Sequence, residues 1–250
     1  MTPQFAAQLL SHDLDYFCFA AERIETDFGS MLYSPDFSDD SNYNRAALLR
    51  SDLMHRTRVA DEVISFFEER KIIVAADLDP TAERYGIGAE FRARQFTPAE
   101  SDWTAMLHTP GKEPWSRSKE IAVASVENSR AEEWVQIIAA EEGQIEIVRL
   151  EANCERNRLL LARINGKPVA ACDLFSKDGW GRIDSVFTLP EFRNRGAASA
   201  LVLSALKFSQ LIGNEITYLM TEGKSPAERL YRKLGFESLG KLPWQRHYGS

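Results

Sequence analysis

Three consecutive extended segments run into one long apolar helix between residues 158 and 212, and that succession leaves few folds open. Arg158–Ile164 and Pro168–Leu174 are joined by Asn165-Gly166, a dipeptide that favours the left-handed backbone of a two-residue hairpin turn. Asp178-Gly179 leads into a third strand, Arg182–Thr188, and Ala198–Ile212 then reads as an apolar helix. A strand over Glu215–Met220, a helix over Ser225–Leu234 and a strand from Phe236 complete the series. Upstream, Ile121–Val126 reads as a strand and Arg130–Glu142 as a helix with Trp134, Ile137 and Ile138 on one face. An antiparallel meander feeding a strand-helix-strand crossover makes a mixed sheet, so the fold class is α/β (α+β). Its cleft is expected where the third strand gives way to the helix.

A chain of 250 residues holds one large domain or two small ones. The segment His108-Thr109-Pro110-Gly111-Lys112-Glu113-Pro114 is the best linker, which gives domains over 1–112 and 113–250. With 44% apolar and 27% charged residues the chain can build an ordinary core, and no apolar run approaches the roughly 18 residues of a membrane span. No basic residue precedes Arg23 and no apolar leader is visible, so the expected location is cytoplasmic. Cys18, Cys154 and Cys172 are scattered and read as reduced thiols. His12, His55, His108 and His247 lack ligand spacing, so no metal is expected. A net charge of −7 disfavours a polyphosphate backbone and favours neutral or cationic small partners.

The strand-to-helix junction, Leu189-Pro190-Glu191-Phe192-Arg193-Asn194-Arg195-Gly196-Ala197-Ala198, carries the chemistry. A helix start presents unpaired N–H groups and a positive dipole end, small residues allow close approach, and two arginines add charge. This stretch, with Arg193, Gly196 and Ala198, resembles motif A of the GCN5-related N-acetyltransferases, the GNAT superfamily. Ala227-Glu228-Arg229-Leu230-Tyr231-Arg232-Lys233-Leu234-Gly235-Phe236 resembles a second stretch of the same family, and the resemblance covers roughly residues 118–242. It implies a complete acyl-CoA N-acyltransferase fold in the C-terminal half, with acetyl-CoA or another acyl-CoA as donor. The acyl arm would enter a V-shaped opening between the third strand and the Glu215–Met220 strand. By the same resemblance, backbone groups of Val186, Phe187 and Thr188 bind the pantetheine, and Arg193, Asn194, Arg195, Gly196, Ala197, Ala198 and Ser199 hold the pyrophosphate. Many relatives carry Asn where this chain has Lys224.

Acyl transfer to an amine needs a neutral amine, a polarised carbonyl and a proton for the departing thiolate. Tyr231 is the candidate acid, because a phenol stays protonated at neutral pH. Asp184 is the candidate proton acceptor, with Asp173 on the preceding strand the other nearby carboxyl; strand alternation puts Asp184 on the face of Val186 and Thr188. The expected acceptor is a small-molecule or peptide amine. Rival readings are a donor borne on a carrier protein or on tRNA, the one case in which nucleic acid is a partner, and a non-catalytic acyl-CoA sensor.

The N-terminal half carries a weak echo of the C-terminal one. Ala82-Glu83-Arg84 repeats Ala227-Glu228-Arg229, behind a helix around Val63–Phe67 and a strand over Ile72–Ala76. A degenerate second GNAT-like domain is therefore expected, without a phosphate loop, since Arg56-Thr57-Arg58-Val59-Ala60 has no glycine. Residues 13–50, rich in aromatic and turn residues, read either as a cover for a substrate cleft or as a plain surface loop.

Overall fold

The structure is a computed structural model and describes residues 1–51, 54–99, 101–109, 120–127 and 131–249. The chain divides into two units, Met1–Ser101 with Leu242–Ser250, and Asp102–Lys241. In the first, α1 (Pro3–Tyr16) precedes strands β1 (Glu22–Glu25), β2 (Ser30–Tyr33) and β3 (Arg45–Ala47). Helix α2 (Arg56–Glu68) leads to β4 (Ala75–Leu78), and α3 (Pro80–Arg84) and α4 (Ile87–Ala93) lead to β5 (Thr97–Pro98). The second unit runs β6 (Trp103–His108), β7 (Ile121–Val126), α5 (Glu132–Glu142), α6 (Ile145–Ala152), β8 (Asn157–Ile164), β9 (Lys167–Lys177) and β10 (Trp180–Thr188). It continues with α7 (Ala197–Leu211), β11 (Ile216–Glu222), α8 (Pro226–Lys233) and β12 (Phe236–Lys241); a last strand, β13 (Gln245–Tyr248), belongs to the first unit.

Turn chemistry builds the meander. Asn165 and Gly166 have φ of 50° and 80°, and Asp178 and Gly179 have 50° and 79°, the doubly left-handed pattern that matches strand twist. Strands β7 to β10 are successively antiparallel, and β10 then pairs in parallel with β11 after the α7 crossover. The sheet order is β12-β6-β11-β10-β9-β8-β7. One face packs Leu160, Cys172, Leu174 and Ile183 against Leu201, Val202 and Leu206 of α7 and Tyr231 of α8. The other packs Leu159, Leu161, Ala171 and Phe187 against Trp134, Ile138 and Val148 of α5 and α6. The Trp134 indole, fully buried, donates to the Cys172 carbonyl at 2.9 Å.

Two elements of this unit were not read from sequence. Helix α6 is separated from α5 by Gly143, left-handed at φ 70°, so the helical pattern breaks and restarts within two residues. Strand β6 inserts between β11 and β12, antiparallel to both. The units therefore divide between 101 and 102, whereas the sequence boundary of 112/113 lies in a segment outside the described residues, as does Arg130.

The first unit has its own mixed sheet, in the order β1-β2-β3-β4-β13-β5, over a core of Val59, Val63, Phe67, Ile87 and Phe91. Residues 13–50 supply the end of α1 and three strands of this sheet, which corrects the reading of that stretch as a cover or loop. The sheet repeats the plan of the second: an antiparallel meander, a helix, a parallel strand, and then an inserted antiparallel strand. The insertions are reciprocal in chain order. Strand β13, which follows β12, lies between β4 and β5; β6, which follows β5, lies between β11 and β12. No helix among the described residues is long and apolar enough to cross a membrane.

Gly181 marks where the end of α7 approaches the sheet. A Cβ there would lie 2.5 Å from Ser209 Oγ and 2.8 Å from Asn214 Nδ2. Ser209 also bonds Thr217 at 2.7 Å and accepts from Asn214 at 2.9 Å, so its rotation would break both. Gly181→Ala is expected to destabilise the protein by about 1–3 kcal/mol, the usual cost of overpacking, as read by chemical denaturation.

Candidate active site

Strands β10 and β11 pair only over Trp180–Arg182 against Ile216–Tyr218, although β10 continues to Thr188 and β11 to Glu222. Each keeps its other neighbour, β9 and β6, beyond that point. The two strands therefore part past Arg182 and Tyr218, and the facing edges of the wedge hold backbone groups with no ladder partner across it. This is the V-shaped opening that the resemblance implies.

After β10 the chain reaches α7 through Asn194, at φ 63°, and Gly196, at φ 87°. Gly196 is the helix N-cap and gives no side-chain cap, the first turn holds no acid, and Ala200 is the first N–H bonded to the Gly196 carbonyl, at 3.0 Å. The N–H groups of Ala197, Ala198 and Ser199 thus precede the first intrahelical bond, at the positive end of a four-turn dipole. Arg193 lies over the Phe187 ring at 5.6 Å with its Nε on the Thr188 carbonyl, and Arg195 lies over Phe192 at 5.4 Å. Both are exposed, and neither meets a carboxylate among the described residues. Donors, positive charge and small residues therefore converge on one end of α7, a set that fits a pyrophosphate.

A bulge interrupts β10. Asp184 faces Asp173 and Phe187 faces Ala171, so three steps on β10 match two on β9, and Ser185 takes φ 51°. The alternation argument for Asp184 fails as a result. Asp184 shares its face with Asp173 and Phe187, on the α5 and α6 side, while Val186 packs with the α7 side. Ser185 and Val186 stand outside the β9 register, which leaves the Val186 backbone at the wedge.

Asp184 ion-pairs with Arg182 and accepts from the Ser185 N–H at 2.8 Å. Glu151, 2% exposed on α6, accepts the Ser185 hydroxyl at 2.8 Å. Asp173 is fully buried, and neither of its carboxyl oxygens has a hydrogen-bond partner among the described residues. Leaving such a group unsatisfied costs about 1–3 kcal/mol. Burial first, and then the charges of Glu151 and Asp184, push its carboxyl well above the usual carboxylate range. Glu151 is the functional candidate that the sequence reading missed. Its signal was a charged residue four positions after Ile147, on the buried stripe of a helix.

Tyr231 lies on the opposite face, 6% exposed, with its ring 6.0 Å from Phe236. Burial, and then the nearby Asp184 carboxylate and Cys172 thiol, raise its phenol above the ordinary value, so it stays protonated. Ser225 caps α8 by accepting from the Glu228 N–H at 3.0 Å, and Pro226 starts the helix, which fixes the turn that carries Tyr231. Lys224 is exposed, at φ 61°, and its N–H is bound to Glu228 at 2.6 Å.

The corresponding places in the first unit are built differently. Helix α2 starts at His55, φ −111°, without a glycine, and Arg56 and Arg58 are paired with Glu90 and Asp27. Beside the single β3–β4 pair, Ala46 with Ala76, the buried Arg45 holds Asp13 at 2.8 Å and Asp77 at 2.9 Å. Phe91 stands five residues before Phe96 with ring centres 5.0 Å apart, as Tyr231 stands before Phe236. Aligned on that ring pair, a phenylalanine stands where the second unit has Tyr231.

Residues 123–236 match the family model of the acetyltransferase (GNAT) family. An uncharacterized N-acetyltransferase from Methanocaldococcus jannaschii is 33% identical over 92 residues, which are 33% of this chain and 40% of that protein. Among solved structures, a GCN5-related N-acetyltransferase from Kribbella flavida is 18% identical with a TM-score of 0.74, over 98% of this chain and 95% of its own. Another from Sphaerobacter thermophilus is 16% identical with a TM-score of 0.55, over 99% and 93%. These likenesses show a shared fold over nearly the whole chain.

Proposed function

We propose, for a chain that belongs through residues 123–236 to the acetyltransferase (GNAT) family, transfer of an acyl group from acyl-CoA to an amine by direct attack, with acetyl-CoA as the donor. The observation that carries this reading is the parting of β10 and β11 ahead of a helix N-terminus without a side-chain cap, flanked by two arginines that meet no carboxylate among the described residues. The N–H groups of Ala197, Ala198 and Ser199, with Arg193 and Arg195, hold the pyrophosphate. The backbone of Val186 and Thr188 aligns the acyl arm in the wedge, and the Val186 N–H receives the carbonyl oxygen, an oriented donor that needs no reorganisation. The amine nitrogen bonds to the carbonyl carbon as the carbon–sulfur bond breaks. Tyr231 donates its proton to the departing sulfur, and Asp184, directly or through water, takes the proton that nitrogen releases and returns it to the phenolate. Since the raised phenol is a weak acid, its donation is tied to sulfur departure and does not precede it.

The first unit is a degenerate copy of the same fold that binds no donor. Its arginines are neutralised, its seam carries the Arg45–Asp77 ion pair, and Phe91 has no hydroxyl. Calorimetric titration with CoA is therefore expected to give one site per chain. Two equivalent sites would overturn the degenerate assignment, and no binding would overturn the acyltransferase reading. Release of free CoA from acetyl-CoA, dependent on an added amine pool, tests turnover.

A further inference from the structure

Two carboxyl groups hold the bulge of β10, and one of them comes from a helix. Ser185 takes φ 51°, a left-handed conformation that glycine or asparagine adopts far more readily than serine. Its N–H donates to the Asp184 carboxylate at 2.8 Å, and its hydroxyl donates to Glu151 at 2.8 Å. Asp184 is in turn ion-paired with Arg182. The end of α6 that carries Glu151 is fastened to the sheet: the Glu151 carbonyl accepts from the Asn157 side chain at 3.1 Å, and Asn157 of β8 stands opposite Phe175 of β9. The strained serine is thus tied once within its own strand and once to a helix anchored on β8.

Packing does not account for the residue at 151. Ile147, Val148, Glu151 and Ala152 form the buried stripe of α6, where a leucine would bury apolar surface without the cost of taking a carboxyl group out of water. The carboxyl group instead receives the Ser185 hydroxyl. The bulge has one consequence at the wedge. Ser185 and Val186 stand outside the β9 register, between the Asp184–Asp173 and Phe187–Ala171 pairs, and the Val186 N–H is the group read above as the donor to the carbonyl oxygen. Such a donor acts through its direction, since it must already point to where charge develops.

We propose that Glu151 is a positioning residue for acyl transfer: through the Ser185 hydroxyl it fixes the β10 bulge, and with it the direction of the Val186 N–H. At 2% exposure it acts through Ser185 and not on the substrates themselves. This rests on the acyl-transfer reading and adds to it a residue outside the wedge. Without the hydroxyl–carboxyl contact, the peptide planes around residue 185 turn toward a less strained conformation. That turn carries the Val186 N–H off the carbonyl oxygen, whereas the N–H groups at the start of α7 stay where they are.

The test uses the full chain and acetyl-CoA labelled with carbon-13 at the carbonyl, whose stretching band in isotope-edited infrared spectra reports the hydrogen bond on that oxygen. Ser185→Ala removes one half-buried hydroxyl, and Glu151→Leu removes its acceptor. Both are expected to move the bound carbonyl band to higher frequency than in the wild-type protein. Turnover of acetyl-CoA with the added amine pool should fall about tenfold or more in both, part of the roughly 10²–10³ lost when an oxyanion donor is removed outright. CoA has no acyl carbonyl, so its affinity by calorimetry should be unchanged. Glu151→Gln keeps an acceptor for the hydroxyl and should retain the wild-type band and most of the turnover, a rescue that a role in helix packing would not produce. A wild-type band in Ser185→Ala, which leaves the helix untouched, would overturn the proposal whether or not Glu151→Leu folds, and so would loss of the band position in Glu151→Gln. A wild-type protein that binds no acetyl-CoA would overturn the acyl-transfer reading and this inference with it, so the two failures are distinguishable.

Discussion

Gly196→Glu is expected to reduce CoA binding by about a thousandfold or more while leaving a folded protein. Gly196 has φ 87°, so any side chain there carries the left-handed strain of about 1 kcal/mol. A Cβ would nevertheless meet only Ile121 Cδ1, at 3.7 Å, so no packed group must move. The carboxylate would sit at the start of α7, where a negative charge favours the helix by about 0.3–1 kcal/mol and offsets part of the strain. That same charge removes the site. It competes for the N–H groups of Ala197 to Ser199 and repels a pyrophosphate, and at about 4 Å one charge pair at a protein surface is worth about 4 kcal/mol. Gly196→Ala separates the two effects, since it adds the strain without the charge and should keep most of the affinity. Calorimetry with CoA and a thermal melt on both variants make the measurement; unchanged affinity in Gly196→Glu would sink the phosphate-loop assignment.

What the sequence makes legible is local. Asn165-Gly166 and Asp178-Gly179 announce their turns because few dipeptides accept two left-handed residues, and the strands they join begin and end within a few residues of expectation. Arg193 and Gly196 are legible for the same reason: a glycine before a helix and charge beside it have a local physical meaning. The exchanged strands are not. Trp103–His108 and Gln245–Tyr248 look like ordinary strands, and only pairing over long separations decides which sheet takes them. The bulge is hidden too, because Ser185 adopts φ 51° although serine carries no strong preference for it. One residue out of register, just after Asp184, was enough to put Val186 and Thr188 on the opposite face from it. Asp173 illustrates a further limit, since alternation can give its face but not the absence of a partner for its oxygens.

Tyr231→Phe is expected to lower turnover by roughly 10²-fold or more while acyl-CoA affinity barely moves. The ring, buried against Phe236, makes the packing contacts and remains in the variant. Only the hydroxyl is lost. In the free protein that hydroxyl is held protonated by its burial and by the Asp184 charge, so it makes no ionic contribution that its removal could disturb. Its effect arises when negative charge grows on the departing sulfur, and an interaction made mainly at that point changes turnover without changing ground-state binding. Phe91 supplies an internal parallel: the equivalent ring in the first unit packs on Phe96 at 5.0 Å without a hydroxyl, so the fold does not require one. The measurement pairs steady-state CoA release, on an acceptor drawn from the added amine pool, with calorimetric binding of CoA. A variant that kept full turnover would make Tyr231 a packing residue and water the acid. A wild-type protein that bound CoA but turned over no amine would be a sensor, and Tyr231→Phe would then have no rate to lower.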